Sequence, residues 1–107
     1  MSIEYFQRRQ HTLIDKLAKV NLDGMIVTNL THIRYLCGFT GSSATLLITA
    51  DQVHFITDGR YVVQSEKEVK GAKVLIDSIS HYEVIKKQNL LTSSQSIGFD
   101  GNNVSHQ

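Results

Sequence analysis

The sequence contains no proline, where a chain of 107 residues and average composition would carry about five. It closes on "SIGFDGNNVSHQ", soon after what reads as a strand. Both features suggest one module of a longer protein, the alternative being a small domain with a ragged tail. Cysteine is almost absent too. Cys37 is the only one, which excludes an intrachain disulfide and makes the cytoplasm the natural expectation. No apolar run approaches the ~20 residues that span a bilayer. The start, "MSIEYFQRRQH", is too polar for the apolar core of a signal peptide. Eleven basic against ten acidic residues leave a net charge of +1, so there is no electrostatic case for nucleic acid or an acidic membrane surface.

Catalytic and metal-binding motifs are equally scarce. The five histidines, His11, His32, His54, His81 and His106, are never three or four residues apart, and no His-Glu-x-x-His or Cys-x-x-Cys occurs. His54 reads as a half-exposed strand position. His32 near Cys37 raises a Cys–His nucleophile pair, but Cys37 between Leu36 and Gly38 behaves more like a small buried hydrophobe. "GFTGSS" lacks the Lys-Ser/Thr end of a P-loop and the GxGxxG spacing, and "TGSSA" is not a G-x-S-x-G elbow.

What the chain does have is clear patterning. Ile3, Phe6, Leu13, Leu17 and Val20 place one apolar face on a helix from about Ser2 to Val20, with Ser2 available as its cap and Asn21 and Gly24 as punctuation. Met25–Asn29 reads as a strand covered on both faces. A short helix over Thr31–Leu36 follows, capped by Asn29 or Thr31 and ended by Gly38. Ala44–Thr49 and Val53–Asp58 are β-branched runs close enough to form an antiparallel hairpin. Next come a helix from Arg60 to about Val69, with Tyr61, Val62, Ser65 and Val69 along one side and Gly71 as its stop, and a strand over Lys73–Asp77. A helix from Ser80 to Leu90 carries Tyr82, Ile85 and Lys86, and a fifth strand covers Ser96–Asp100. Strands alternating with helices predict a single three-layer α/β/α sandwich over residues 1–107, with a mixed, mainly parallel five-stranded sheet and one antiparallel hairpin.

Two stretches exceed what that fold requires. "NLTHIRYLCGFTGSSATLLIT" (Asn29–Thr49) places rings, glycines and hydroxyls between apolar runs. Asp58-Gly59-Arg60 reads as a strand-to-helix turn in which Asp58 caps the helix and Gly59 takes an awkward backbone angle. Together these stretches resemble the N-terminal domain of the creatinase/prolidase/aminopeptidase P family, in which Asn-x-x-x-Ile-x-Tyr-Leu-x-Gly-Phe-x-Gly precedes a hairpin ending in Thr-Asp-x-Arg-Tyr. Tyr35, Leu36, Gly38, Phe39, Gly41, Asp58, Arg60 and Tyr61 match, and the leading helix and the Leu22–Asn29 strand fit as well.

The resemblance implies a non-catalytic domain of a metal-dependent Xaa-Pro peptidase of aminopeptidase P or prolidase type, which hydrolyses the bond between a first residue and proline. It implies two divalent metal ions, usually manganese, held by two Asp, one His and two Glu of a separate C-terminal "pita-bread" domain. No residue here is then a metal ligand or a catalytic group. The implied partners are that catalytic domain, further copies in a dimer or larger oligomer, and the peptide substrate. Tyr35, Phe39, Thr40, Gly41, Ser42 and Ser43 become the rim of a neighbouring subunit's substrate site or an interface, although Tyr35 and Phe39 also suit a core beneath the sheet. Asp58, Arg60 and Tyr61 become a structural motif, with Arg60 in an ion pair or bonded to loop carbonyls. Some dipeptide-specific relatives carry charges in the loop. "TGSS" does not, so a parent acting on longer peptides is at least as well supported. A non-enzymatic peptide- or protein-binding module and a creatinase-like amidinohydrolase are the other expectations this fold allows.

Overall fold

The computed structural model describes residues 3–88, 90–92 and 95–100, so the expected cap Ser2 lies outside the described residues. The chain runs α1 (Ile3–Lys19), β1 (Gly24–Val27), α2 (Leu30–Cys37), β2 (Thr45–Thr49) and β3 (Val53–Thr57). A 3-10 turn (Gly59–Tyr61) then leads into α3 (Val62–Glu68), β4 (Lys73–Ile76), α4 (His81–Lys87) and β5 (Ile97–Phe99). The strands form one five-stranded sheet in the order β4-β3-β2-β1-β5. The expected hairpin pairs β2 with β3, Leu46 opposite Phe55. β2 is also antiparallel to β1, while β1–β5 and β3–β4 are parallel. β2 therefore runs against the other four strands and begins at the end where they finish.

That central strand is buried at every position, and the alternation of its side chains divides the interior in two. Leu46 and Ile48 join Val27, Ile33, Leu36, Cys37, Phe39 and Phe55 on the face that α1 and α2 cover. Leu47 points the other way, with Ile26 and Ile56, toward Val84 and Ile85 of α4. The three-layer architecture follows from this partition.

Several local expectations are corrected. Ile3 and Val20 are 47% and 63% exposed: one opens α1 and the other lies past its end at Lys19, whereas Phe6 and Leu17, further in, are buried. Gln10 is buried on that face instead. Gly24 lies inside β1 rather than in a turn; a Cβ there would sit 2.6 Å from the Ile48 carbonyl oxygen of the neighbouring strand. The left-handed residue before it is Asn21, at φ 61°. α3 ends at Glu68, three residues before Gly71, and Val62 on its expected inner side is exposed. Gly59 has no left-handed angle, since the glycines with positive φ among the described residues are Gly38 and Gly71.

Candidate functional site

The loop Gly38–Ser43 leaves α2 and enters β2 at the end of the sheet where the four co-directional strands finish, the end at which open α/β sheets hold their ligands. Its base is fixed by the terminus of α2, where the last four carbonyls of any helix lack intrahelical partners. All four are satisfied here. The Gly38 amide donates to the Arg34 carbonyl at 2.9 Å, with Gly38 left-handed at φ 91°. Arg9 Nη1 donates to the Tyr35 carbonyl at 2.7 Å, buried Gln10 to that of Leu36 at 2.9 Å, and the Lys70 amide to that of Cys37 at 2.9 Å. Asn29 caps the other end of α2, its Oδ1 accepting from the Thr31 and His32 amides.

The two rings of this stretch part company at Gly38. Tyr35 is 55% exposed, with the Arg9 guanidinium 3.9 Å from its ring centre and a second stack onto Tyr5. Phe39 is 1% exposed and packs edge-on against Phe55 and Tyr61 at 4.7 and 5.4 Å. Of the two roles open to each ring, Phe39 takes the core and Tyr35 the surface. Phe39 is thus corrected as a rim residue: its ring has no free face. Gly41 turns back over it, and a Cβ at Gly41 would collide with the Phe39 ring and stand 2.9 Å from that of Tyr61.

The tip is held from the segment that follows β3. The Thr40 amide and hydroxyl donate to the Glu68 carboxylate at 2.8 and 3.0 Å, and Gln64 Nε2 donates to both Thr40 Oγ1 and Glu68 Oε1 at 3.1 Å. Burial pushes the Glu68 carboxyl up, but the Thr40 amide, the Gln64 amide and the Thr40 hydroxyl outweigh it and hold the acid below its ordinary range. Ser42 Oγ lies 2.6 Å from the Tyr61 hydroxyl, which lowers that phenol's pKa. Buried Thr57 donates to the Ser43 carbonyl at 2.7 Å.

Asp58 caps the 3-10 turn rather than the helix itself, accepting from the Arg60 amide at 3.0 Å, and α3, which starts at Val62, has no side-chain cap. It also takes a two-point ion pair from the Arg60 side chain, Nε and Nη2 each at 2.9 Å. The guanidinium beside it holds the Asp58 carboxyl down at about 2, and the carboxylate in turn raises the arginine. Arg60 therefore forms the expected ion pair, whereas the loop carbonyl at Ser43 is bound by Thr57. Tyr61 joins the motif to the loop.

The remaining candidates fall away from this site. Burial raises the Cys37 thiol to about 11, far from a reactive thiolate. His32 faces Asp100 instead, Nδ1 to Oδ2 at 2.9 Å. Asp100, its side chain only 3% exposed, also accepts from the Thr28 and Asn29 amides at 2.9 and 3.0 Å. His54 is half-buried with its Nδ1 unpartnered, and burial and nearby Lys73 lower its pKa. His81 lies 2.6 Å from Thr45 Oγ1. Among the described residues no group of three or more His, Cys, Asp or Glu could hold a metal ion. Sequence reasoning missed Glu68, Gln10 and Asp100. The "SEKE" stretch offered two acids on one short helix and nothing to tell them apart.

An α/β domain whose strand-end loop is bonded to Tyr61 of an Asp-x-Arg-Tyr turn and to Glu68 of the helix after it defines the class of this protein. The chain matches the Creatinase/Prolidase N-terminal domain over residues 9–107 and belongs to that family. Among solved structures, a creatinase/prolidase-like N-terminal domain from Corynebacterium diphtheriae superimposes with a TM-score of 0.77 at 37% identity, over 88% of this chain and 74% of that one. The N-terminal domain of the cytoplasmic peptidase PepQ from Mycobacterium tuberculosis shares the fold, with a TM-score of 0.69 at 23% identity over 86% and 90% of the two chains. In sequence, the uncharacterized peptidase YqhT of Bacillus subtilis is 42% identical over 57 residues, 53% of this chain. Aminopeptidase P2 of Arabidopsis thaliana is 43% identical over 42 residues, 39% of this chain. This chain spans 16% and 6% of the lengths of those two relatives.

Proposed function

We propose that this chain is the N-terminal, non-catalytic domain of a metal-dependent Xaa-Pro peptidase of aminopeptidase P or prolidase type. The reading rests above all on relatives at more than 40% local identity that are named as peptidases, one of them an aminopeptidase P. Hydrolysis belongs to a catalytic domain that follows this one and holds two divalent metal ions, manganese being the expected metal. The domain contributes to a dimer or larger oligomer. It also offers the tip Thr40–Ser43, with exposed Tyr35 in the last turn of α2, to the rim of a neighbouring subunit's substrate site. The tip carries no cation of its own to hold a dipeptide's terminal carboxylate, so a parent acting on longer peptides is at least as well supported as a strict dipeptidase. The absence among the described residues of a helix long and apolar enough to cross a membrane is compatible with a cytoplasmic enzyme.

The test is turnover of a Xaa-Pro-containing tripeptide in the presence of manganese by the full-length protein and by this chain alone. Turnover by the full-length protein and none by residues 1–107 is the expected result. Cleavage by the isolated chain, or a full-length protein inert toward every Xaa-Pro peptide, would sink the reading.

A further inference from the structure

The loop tip does not hold its own shape. Thr40 is exposed at the end of a glycine-flanked turn, and three of the four polar contacts that fix it come from one carboxylate on another element. The Glu68 side chain is only partly buried. It accepts the Thr40 amide and hydroxyl, and Gln64, one turn earlier on α3, donates to the same oxygen and to Thr40 Oγ1. A carboxylate is suited to this because it is acceptor-only, with enough lone pairs for three donors at once. The backbone at the loop's base adds to the constraint. A Cβ at Gly38 would stand 2.9 Å from the Glu68 carbonyl oxygen, so the chain passes directly against the end of α3. Neither Thr40 nor Glu68 contributes a side chain to the buried core, so packing alone does not account for the arrangement.

We infer that Glu68 is the positioning residue of the Thr40–Ser43 tip: by holding Thr40 through its amide and hydroxyl, it presets the conformation the tip offers to the substrate-site rim. This inference rests on the functional reading above. Glu68 itself touches no substrate. It acts through Thr40, in a loop whose other end Tyr61 and Thr57 already secure, so its removal frees the Thr40 end of the tip without unfolding the domain.

Two measurements on Glu68→Ala and Thr40→Val test this, with Glu66→Gln, an exposed acid on the same helix, as the control. In this chain, amide hydrogen exchange at Thr40 is expected to quicken about tenfold or more in Glu68→Ala, with the β2 amides Leu46–Ile48 and the control unchanged. In the full-length protein, both variants are expected to raise KM for a Xaa-Pro tripeptide about tenfold, with kcat within about twofold of wild type. An unchanged Thr40 amide overturns the inference, and so does equal quickening across β2, which would make Glu68 a general stabilising residue. A freed Thr40 amide with unaltered KM in an active enzyme overturns it as well. If the wild-type full-length protein is inert, the functional reading fails, whereas the exchange measurement still decides whether Glu68 holds the tip.

Discussion

Tyr35 and Phe39 are two aromatic residues four apart, a spacing that on a continuous helix would put both on one face. They do opposite things because the left-handed turn at Gly38 ends the helical period between them. The chain then drives Phe39 into the sheet, while Tyr35 stays on the outer side of α2 beside Arg9. No pattern in the sequence marks that change of direction beyond the glycine itself. This is why the two rings could only be read as a pair with alternative roles. Their energies should differ as sharply as their burial. Phe39→Ala removes a ring packed on two others and is expected to cost about 3–5 kcal/mol, a large part of the stability of a domain this size. Tyr35→Ala should cost under about 1 kcal/mol, since the loss is an exposed stack on Arg9. Urea unfolding of the two variants checks the contrast, and equal costs would contradict the placement of the rings.

At the level of elements, the sequence was most informative where one periodicity runs unbroken. All five strands and four helices were legible to within a few residues, because β-branched runs and apolar helical spacing report directly on burial. What stayed hidden were polar residues that tie one element to another, since a glutamine on a helix or an aspartate after a strand looks solvated until the partner element is placed. Gln10 joins α1 to the end of α2 and to the Lys70 carbonyl after α3. Asp100 joins the end of β5 to the β1–α2 corner through Thr28, Asn29 and His32. For Asp100, burial raises the carboxyl, but the Thr28 amide, the His32 ring and the Asn29 amide together hold it below the ordinary carboxylate range. A depressed folded-state pKa means stability that is present above the unfolded value, near 4, and lost as pH falls through the folded one. Asp100→Asn should therefore cost about 2 kcal/mol at pH 7. The gap to wild type should narrow steadily below about pH 4, as the native carboxyl takes up its proton. Thermal unfolding of both proteins from pH 7 down to pH 3 measures this. A gap that is constant with pH would show that Asp100 does not hold this corner through its charge.

Across the whole molecule, the loop's position follows from the polarity of the sheet. β2 runs against its four companions, so the segment that leads into it must cross the end where they stop, and there it meets the turn and helix that leave β3. The tip is thereby tied to the part of the domain with the most cover: Thr57, Phe39 and Phe55 are all at most 1% exposed. The opposite edge is different. β5 is three residues long, pairs among the described residues with β1 alone, is nowhere fully buried and leaves Phe99 40% exposed. Beside it a groove of about 540 Å³ runs between α1 and α2, and none of the six loop residues lines it. Protection in a native protein follows local cover, and weakly covered edges open without global unfolding. The amides of Leu46, Leu47 and Ile48 should thus exchange only through global unfolding, about 100-fold or more slowly than those of Ile97–Phe99. Hydrogen exchange followed by NMR at a range of low denaturant concentrations separates the two. If β5 opened only with β2, the sheet would be a single cooperative unit whose edge the domain already seals. If β5 opens first, the frame that carries Thr40–Ser43 keeps its geometry while the far edge moves.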